Sequence, residues 1–133
     1  MQIDPVEPPD WKAPKGYSNG MRVRGATDLL FVAGQIGWDA EQNLVDGGFS
    51  AQFRQALDNV RAVVEQAGGQ PAHIVRLTIY VTDKRQYLDQ IRDVGAAYRD
   101  VLGKHFPAMA LVQVADLLEE GALVEIEATA ALG

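Results

Sequence analysis

Apolar residues recur at helical spacing between positions 53 and 67: Phe53, Ala56, Leu57, Val60, Val63, Val64 and Ala67. That spacing puts them on one face of a helix. Gln52, Arg54, Asp58, Arg61 and Glu65 fall on the outer face. Ser50 reads as the N-cap, and Gly68-Gly69 as the stop. From 74 to 82 the period changes to two. Val75, Leu77, Ile79 and Val81 point one way, and Arg76, Thr78, Tyr80 and Thr82 the other, which predicts a strand. Asp83 then caps a second helix, with Tyr87, Leu88, Ile91, Val94, Tyr98 and Leu102 inward and Gly103 at its end.

Shorter signals complete the pattern. Met21 to Arg24 alternates as a short strand, and Leu29 to Gly34 is an apolar run that reads as a strand buried on both faces. Residues 37–49 form a loop rich in Gly, Asp and Asn. Strands are predicted over 108–115 and 122–131, with a turn at 116–121 between them. Residues 1–16 carry Pro5, Pro8, Pro9 and Pro14 and read as an irregular arm, anchored by Ile3, Val6 and Trp11. The order β-β-α-β-α-β-β predicts an α+β fold: one sheet with both helices on one face, forming a single domain over 1–133. The other face carries the polar row of Arg76, Thr78, Tyr80 and Thr82. Solvation would account for it. Oligomerisation through that face is the preferred expectation.

Composition narrows the picture. A chain of 133 residues buries enough surface to fold without a metal or disulfide staple. It has no cysteine, which removes disulfides, thiolate catalysis and cysteine-ligated metals. Twelve basic against eighteen acidic residues give a net charge of −6, with no Lys/Arg run. A nucleic-acid partner, which needs a basic surface to displace counterions, is not expected. No secretory signal is visible, and no apolar run approaches bilayer length, so the expectation is a cytoplasmic protein without a membrane partner.

No Ser-His-Asp order, phosphate loop or zinc signature occurs. His73 and His105 sit at element borders and read as capping or solvated residues. Four stretches carry more: Gly16-Tyr17-Ser18-Asn19-Gly20, Phe31-Val32-Ala33-Gly34-Gln35-Ile36, Phe106-Pro107-Ala108-Met109, and Val124-Glu125-Ile126-Glu127-Ala128. Their order and spacing resemble the reactive intermediate deaminase (Rid, or YjgF) family. Gln55 to Val60 and Arg76 to Asp83 extend the resemblance, which covers residues 16 to 131.

That resemblance implies a chorismate-mutase-like fold and a homotrimer. Its sheets would form a central barrel, with clefts between subunits. It also implies hydrolysis of small enamines or imines to ketones and ammonia, with no cofactor. Glu125 matches the family's cleft glutamate, which would position or activate water. Tyr17 and Ser18 match its Gly-x-Tyr-Ser pattern, and Tyr17 would hold the substrate. Backbone groups at Gly34 and Leu111 would line the cleft. Tyr87 would be a cleft aromatic, and Trp38 lies in a nearby loop as an anchor or a lid.

Two positions depart from the family. Met109 stands where the active branch carries the arginine that forks onto a substrate carboxylate, and Ala33 where a serine is common. Methionine offers neither charge nor donor. The expectation is therefore a divergent hydrolase whose cleft, with Met109, Tyr17, Tyr87 and Trp38, takes a bulkier or uncharged small molecule. The alternative is a small-molecule-binding trimer without turnover. A ribonuclease is disfavoured by the charge and by the lack of a histidine pair. On strand alternation alone, Glu125 and Glu127 would both simply face solvent.

Overall fold

The computed structural model describes residues 1–133. The elements run β1 (Gln2–Val6), β2 (Gly20–Arg24), β3 (Asp28–Ile36), α1 (Gly48–Gln66), a 3-10 turn (Pro71–His73), β4 (Ile74–Val81), α2 (Lys84–Asp89), α3 (Ile91–Leu102), β5 (Ala108–Gln113) and β6 (Val124–Leu132). The main sheet has the order β3-β6-β4-β5. β4 and β5 are parallel, and β6 is antiparallel to both β3 and β4.

Two expectations about the first strands need correcting. The arm is not wholly irregular, because Gln2–Val6 forms a strand antiparallel to β2. Pro5 fits there because this ribbon has only two strands, so each has a free edge that needs no N–H. β2 accordingly belongs to a separate two-stranded sheet.

α1 lays Phe53, Ala56, Leu57, Val60 and Val64 onto the sheet, all fully buried. Each large side chain contributes about 1.5–3 kcal/mol through removal from water. Leu77, Ile79 and Val81 of β4, and Val124, Ile126 and Ala128 of β6, meet that face. α3 adds Val94, Ala97, Tyr98, Val101 and Leu102. Both long helices thus cover one side of the sheet, and the other side stays open.

The open side corrects the reading of residues 29–34. Val32 is buried, but Leu29 is 60% exposed and Phe31 is 74% exposed. β3 is an edge strand with one apolar row inward and one outward. Val75 is likewise not on the inward row. A register irregularity between Ile74 and Arg76 makes Ile74 the buried residue instead.

Helix ends also differ from expectation. Gly47, at φ 111°, precedes α1, and Ser50 lies inside its first turn. The Ser50 N–H donates to Gln90 Oε1 at 3.1 Å, so a side chain from elsewhere serves that orphan donor. Gln90 interrupts the second helix, separating α2 from α3. Leu88 and Ile91, expected inward, are exposed on either side of the break. Asp83 caps α2 as expected, accepting from the Arg85 N–H at 2.9 Å.

Gln52, placed on the outer face of α1 by periodicity, is buried. Its amide donates to Gly121 O at 3.0 Å and accepts from Leu123 N at 2.8 Å. It ties the start of α1 to the chain entering β6.

Candidate functional site

Strand alternation sorts the candidate residues onto two sides of the sheet. Val124 and Ile126 point to the helices, so Glu125 and Glu127 point to the open side. Glu125 is half-buried there and lies opposite Tyr80 of β4 and Ile36 of β3. Its carboxylate sits directly against Gly34. A Cβ at position 34 would stand 2.5 Å from Glu125 Oε2. Only glycine leaves that carboxylate its place. The β3–β6 register shifts between Val32 and Gln35, so Gly34 falls in an irregular stretch of the ladder.

The Tyr80 hydroxyl donates to Glu127 Oε1 at 2.8 Å. That hydrogen bond, followed by desolvation and the nearby Glu127 and Glu125 charges, raises the Tyr80 pKa above the ordinary phenol value. The open side thus carries two carboxylates, Glu125 and Glu127, the second held by a phenol that keeps its proton. Arg76 and Thr78 lie beside Glu127 in a shallow depression that also reaches Phe31.

Met109 and Tyr87 lie on the opposite side of the sheet. Met109 pairs in register with Leu77, so its side chain faces the helices. It lines a cavity of about 450 Å³ between β4, β5 and the α2–α3 pair. Tyr87 shares this cavity with Tyr98 and Phe106. Tyr98 and Phe106 stack at 5.3 Å between ring centroids, and Tyr87 meets Phe49 edge-on at 6.5 Å. Burial raises the pKa of both Tyr87 and Tyr98, so these rings present neutral hydroxyls at ordinary pH. The Tyr98 hydroxyl donates to His105 O at 2.6 Å.

Tyr17 borders the same region. Gly16 lines the Met109 cavity and also an adjoining groove, where Tyr17 faces the proline-rich arm. Ser18 fixes this segment: its hydroxyl donates to Phe106 O at 2.6 Å, and its N–H to Pro107 O at 3.1 Å. Two motifs distant in sequence, Tyr17-Ser18 and Phe106-Pro107, are thereby one structural unit.

Leu111 follows Met109 on β5 and packs against the core. β5, like β3, is an edge strand of the sheet, so one side of its backbone ladder faces outward. Trp38 lies apart from the cavity, in a turn bridged to Leu44. Asn59 Nδ2 holds that turn through Ile36 O at 3.1 Å and Trp38 O at 2.9 Å.

One chain therefore brings together Glu125 with Gly34, and separately Met109 with Tyr87 and, beside them, Tyr17. The sheet stands between the two groups. His73 and His105 are structural: the His73 ring accepts from Gln70 N, and the His105 ring bonds Ile74 O. No group of three His, Asp or Glu side chains is gathered as a metal site would need. The sequence reading missed Arg99, Lys15 and Phe53 as cavity residues. Helical periodicity places Phe53 in the core, but nothing in the pattern marks Arg99 or Lys15.

This architecture is that of a chorismate-mutase-like α+β protein: one mixed sheet, helices on one side and an open polar-apolar side opposite. Known proteins narrow it further. Residues 9–132 match the family model described as Endoribonuclease L-PSP. A RutC family protein of Aquifex aeolicus is 36% identical over 126 residues, covering 94% of this chain and 96% of that one. The 2-iminobutanoate/2-iminopropanoate deaminase of Salmonella typhimurium is 38% identical over 105 residues, covering 77% of this chain and 78% of the relative.

Among solved structures, YyfB from Yersinia pestis, described as a Rid family protein of unknown function, superposes with a TM-score of 0.86 at 30% identity. The match covers 99% of this chain and 100% of that one. RidA from an Antarctic Psychrobacter gives 0.67 at 32% identity, with 91% and 92% covered. The chain belongs to the Rid (YjgF) family.

Proposed function

We propose that this protein is a divergent Rid-type hydrolase, which deaminates a small imine or enamine in clefts between the subunits of a homotrimer. The observation that carries the reading is the Glu125 carboxylate lodged against the bare backbone of Gly34 on the open side of the sheet. A carboxylate held beside unobstructed backbone is suited to orienting a water molecule.

The chemistry follows from that placement. Water adds to the imine carbon, and Glu125 takes the proton the water loses. That proton passes to nitrogen to give a carbinolamine; its hydroxyl proton then follows through Glu125 to the same nitrogen as the C–N bond breaks, so ammonia leaves and the carbonyl forms. Tyr17 and outward backbone groups of β5 near Leu111 hold the substrate. The apolar cavity with Met109 and Tyr87 receives its side chain.

Assembly is needed because the two residue groups lie on opposite sides of the sheet within one chain. A trimer built through the open sides would set the Glu125 side of one subunit against the cavity edge of the next. The exposed Phe31 and Leu29 support this, since burying them removes apolar surface from water. The acidic balance and the structural roles of both histidines give RNA cleavage no support.

A second reading, a binding trimer without turnover, is favoured by one observation: Met109 brings no charge to the cleft. Ammonia release from freshly generated imines and enamines separates the two. Turnover on apolar or aromatic substrates, lost in Glu125→Ala, supports the hydrolase. An inert native protein whose Met109→Arg variant gains activity on 2-imino acids supports the binding trimer.

A further inference from the structure

The cavity that holds Met109 is bordered by two charged residues, and both are cations: Arg99 of α3 and Lys15 of the arm. No Asp or Glu lines it. In a chain with a net charge of −6, that local reversal of sign stands out. Neither cation is spent on a neighbour. The ion pairs of the chain are Arg54–Asp100, Arg61–Asp58 and Arg61–Glu65, and neither Arg99 nor Lys15 is among them.

The position of the Arg99 guanidinium has a local cause. Side chains on a helix lean toward its N-terminus, so residue 99 reaches over residue 95, one turn back. Position 95 is glycine. An added Cβ there would come within 3.2 Å of an Arg99 terminal nitrogen, Nη1. Glycine in a helix interior is unfavourable relative to alanine. Gly95 has no positive φ to justify it on backbone grounds. The room it leaves is occupied by the guanidinium, which is thereby laid along the cavity rim.

We infer that Arg99, seated over Gly95, binds the carboxylate of an organic acid whose apolar or aromatic body fills the cavity beside Met109, Tyr98 and Phe106. The inference rests on the cleft reading above and names the substrate class for it. It replaces the expectation of an uncharged substrate. The charge absent from β5 is supplied from α3, at the rim rather than the floor. The acid must therefore be long enough to place its apolar part against Met109 while its carboxylate stays near α3. Arg99 is exposed, so the pairing is screened and its effect moderate.

The test is calorimetric binding of phenylacetate and its neutral isostere phenylacetamide, at low and high salt, to the native protein and to Arg99→Gln and Gly95→Ala. The native protein is expected to prefer the acid by about tenfold at low salt, a charge-assisted contact partly screened. Salt should shrink the preference. Arg99→Gln should erase it while leaving amide binding unchanged. Gly95→Ala should lower it while Tm holds or rises, a split that a merely structural role for Arg99 would not produce.

Equal affinity for acid and amide, a preference that survives Arg99→Gln, or no binding of either probe would overturn the inference. Binding is read here without turnover, so the outcomes stay separable. An acid preference in an inert protein would sink the hydrolase reading alone. Hydrolysis with no acid preference would sink this inference alone.

Discussion

At the scale of single residues, Glu125 and Gly34 illustrate how a side chain and an absent side chain make one feature. The Gly34→Ala variant would force a carbon onto Glu125 Oε2, which stands 2.5 Å from where that carbon must go. The carboxylate would swing away, and imine hydrolysis is expected to fall at least tenfold while the fold persists. Kinetics alongside circular dichroism checks both halves of that statement. Glu125 could be named from the sequence only because a motif resembled a family. Strand alternation makes Glu125 and Glu127 equivalent, and the contact that distinguishes them lies across two strands from distant parts of the chain. Arg99 leaves no trace in the pattern at all: the role proposed for it depends on which residue stands one turn back and on a cavity lined by Phe106 and Met109.

Tyrosines give a second residue-scale prediction. Tyr80, Tyr87 and Tyr98 all have folded-state pKa values raised above the unfolded value of about 10. Below that pH both states keep the phenol protons, and stability is unaffected. Above it the unfolded chain releases protons that the folded chain retains, so stability falls as pH rises. Denaturant midpoints measured from pH 8 to 11 should be level at first and drop beyond about pH 10. A flat profile to pH 11 would contradict the placement of these three rings.

At the scale of elements, the two helical regions were legible and their ends were not. The apolar spacing of α1 is regular, so its buried face follows from sequence. Its N-terminus does not, because the orphan N–H of Ser50 is served by Gln90, forty residues away. The same residue marks the break between α2 and α3, where its backbone leaves helical geometry at φ −108° and ψ 24°. Gln90→Ala should cost about 0.5–2 kcal/mol, the usual worth of a helix cap. Gln52 is the stronger case. Periodicity puts it outside, yet it is buried and bonds two backbone groups of the turn entering β6. Gln52→Leu keeps the volume and strands both partners, at an expected loss of about 1–3 kcal/mol. Urea unfolding measures both variants. A neutral Gln52→Leu would show that the turn at 121–123 is not held by this side chain.

β3 shows the limit of reading apolar runs. A strand with apolar residues on both faces suits a sheet covered twice, and the sequence reading was right about the residues but not about what one chain buries. Phe31 and Leu29 wait for cover that the single chain does not provide. Periodicity reports which surfaces must leave water. It does not report whether the same chain or another copy does the covering.

At the scale of the whole molecule, the account turns on that second copy. Glu125 and the Met109 cavity lie on opposite sides of one sheet, so the proposed cleft needs both halves brought together by neighbouring subunits. Phe31→Asp should leave each chain folded, because Phe31 supports nothing inside it, and should shift solution mass from trimer to monomer with loss of hydrolysis. Sedimentation reports the mass directly. A variant that stays trimeric would move the interface elsewhere.

The most direct test is complementation between two damaged copies. Glu125→Ala removes the open-side half and Tyr87→Ala opens the cavity half, so each alone should be nearly inactive in imine hydrolysis. Unfolded together in equal amounts and refolded as mixed trimers, they should recover about a quarter of native activity, since random assembly restores both halves in that share of clefts. Recovery of that size would establish a site shared between subunits. No recovery, from two variants that each assemble normally, would mean that the halves never meet, and the proposed cleft would fall.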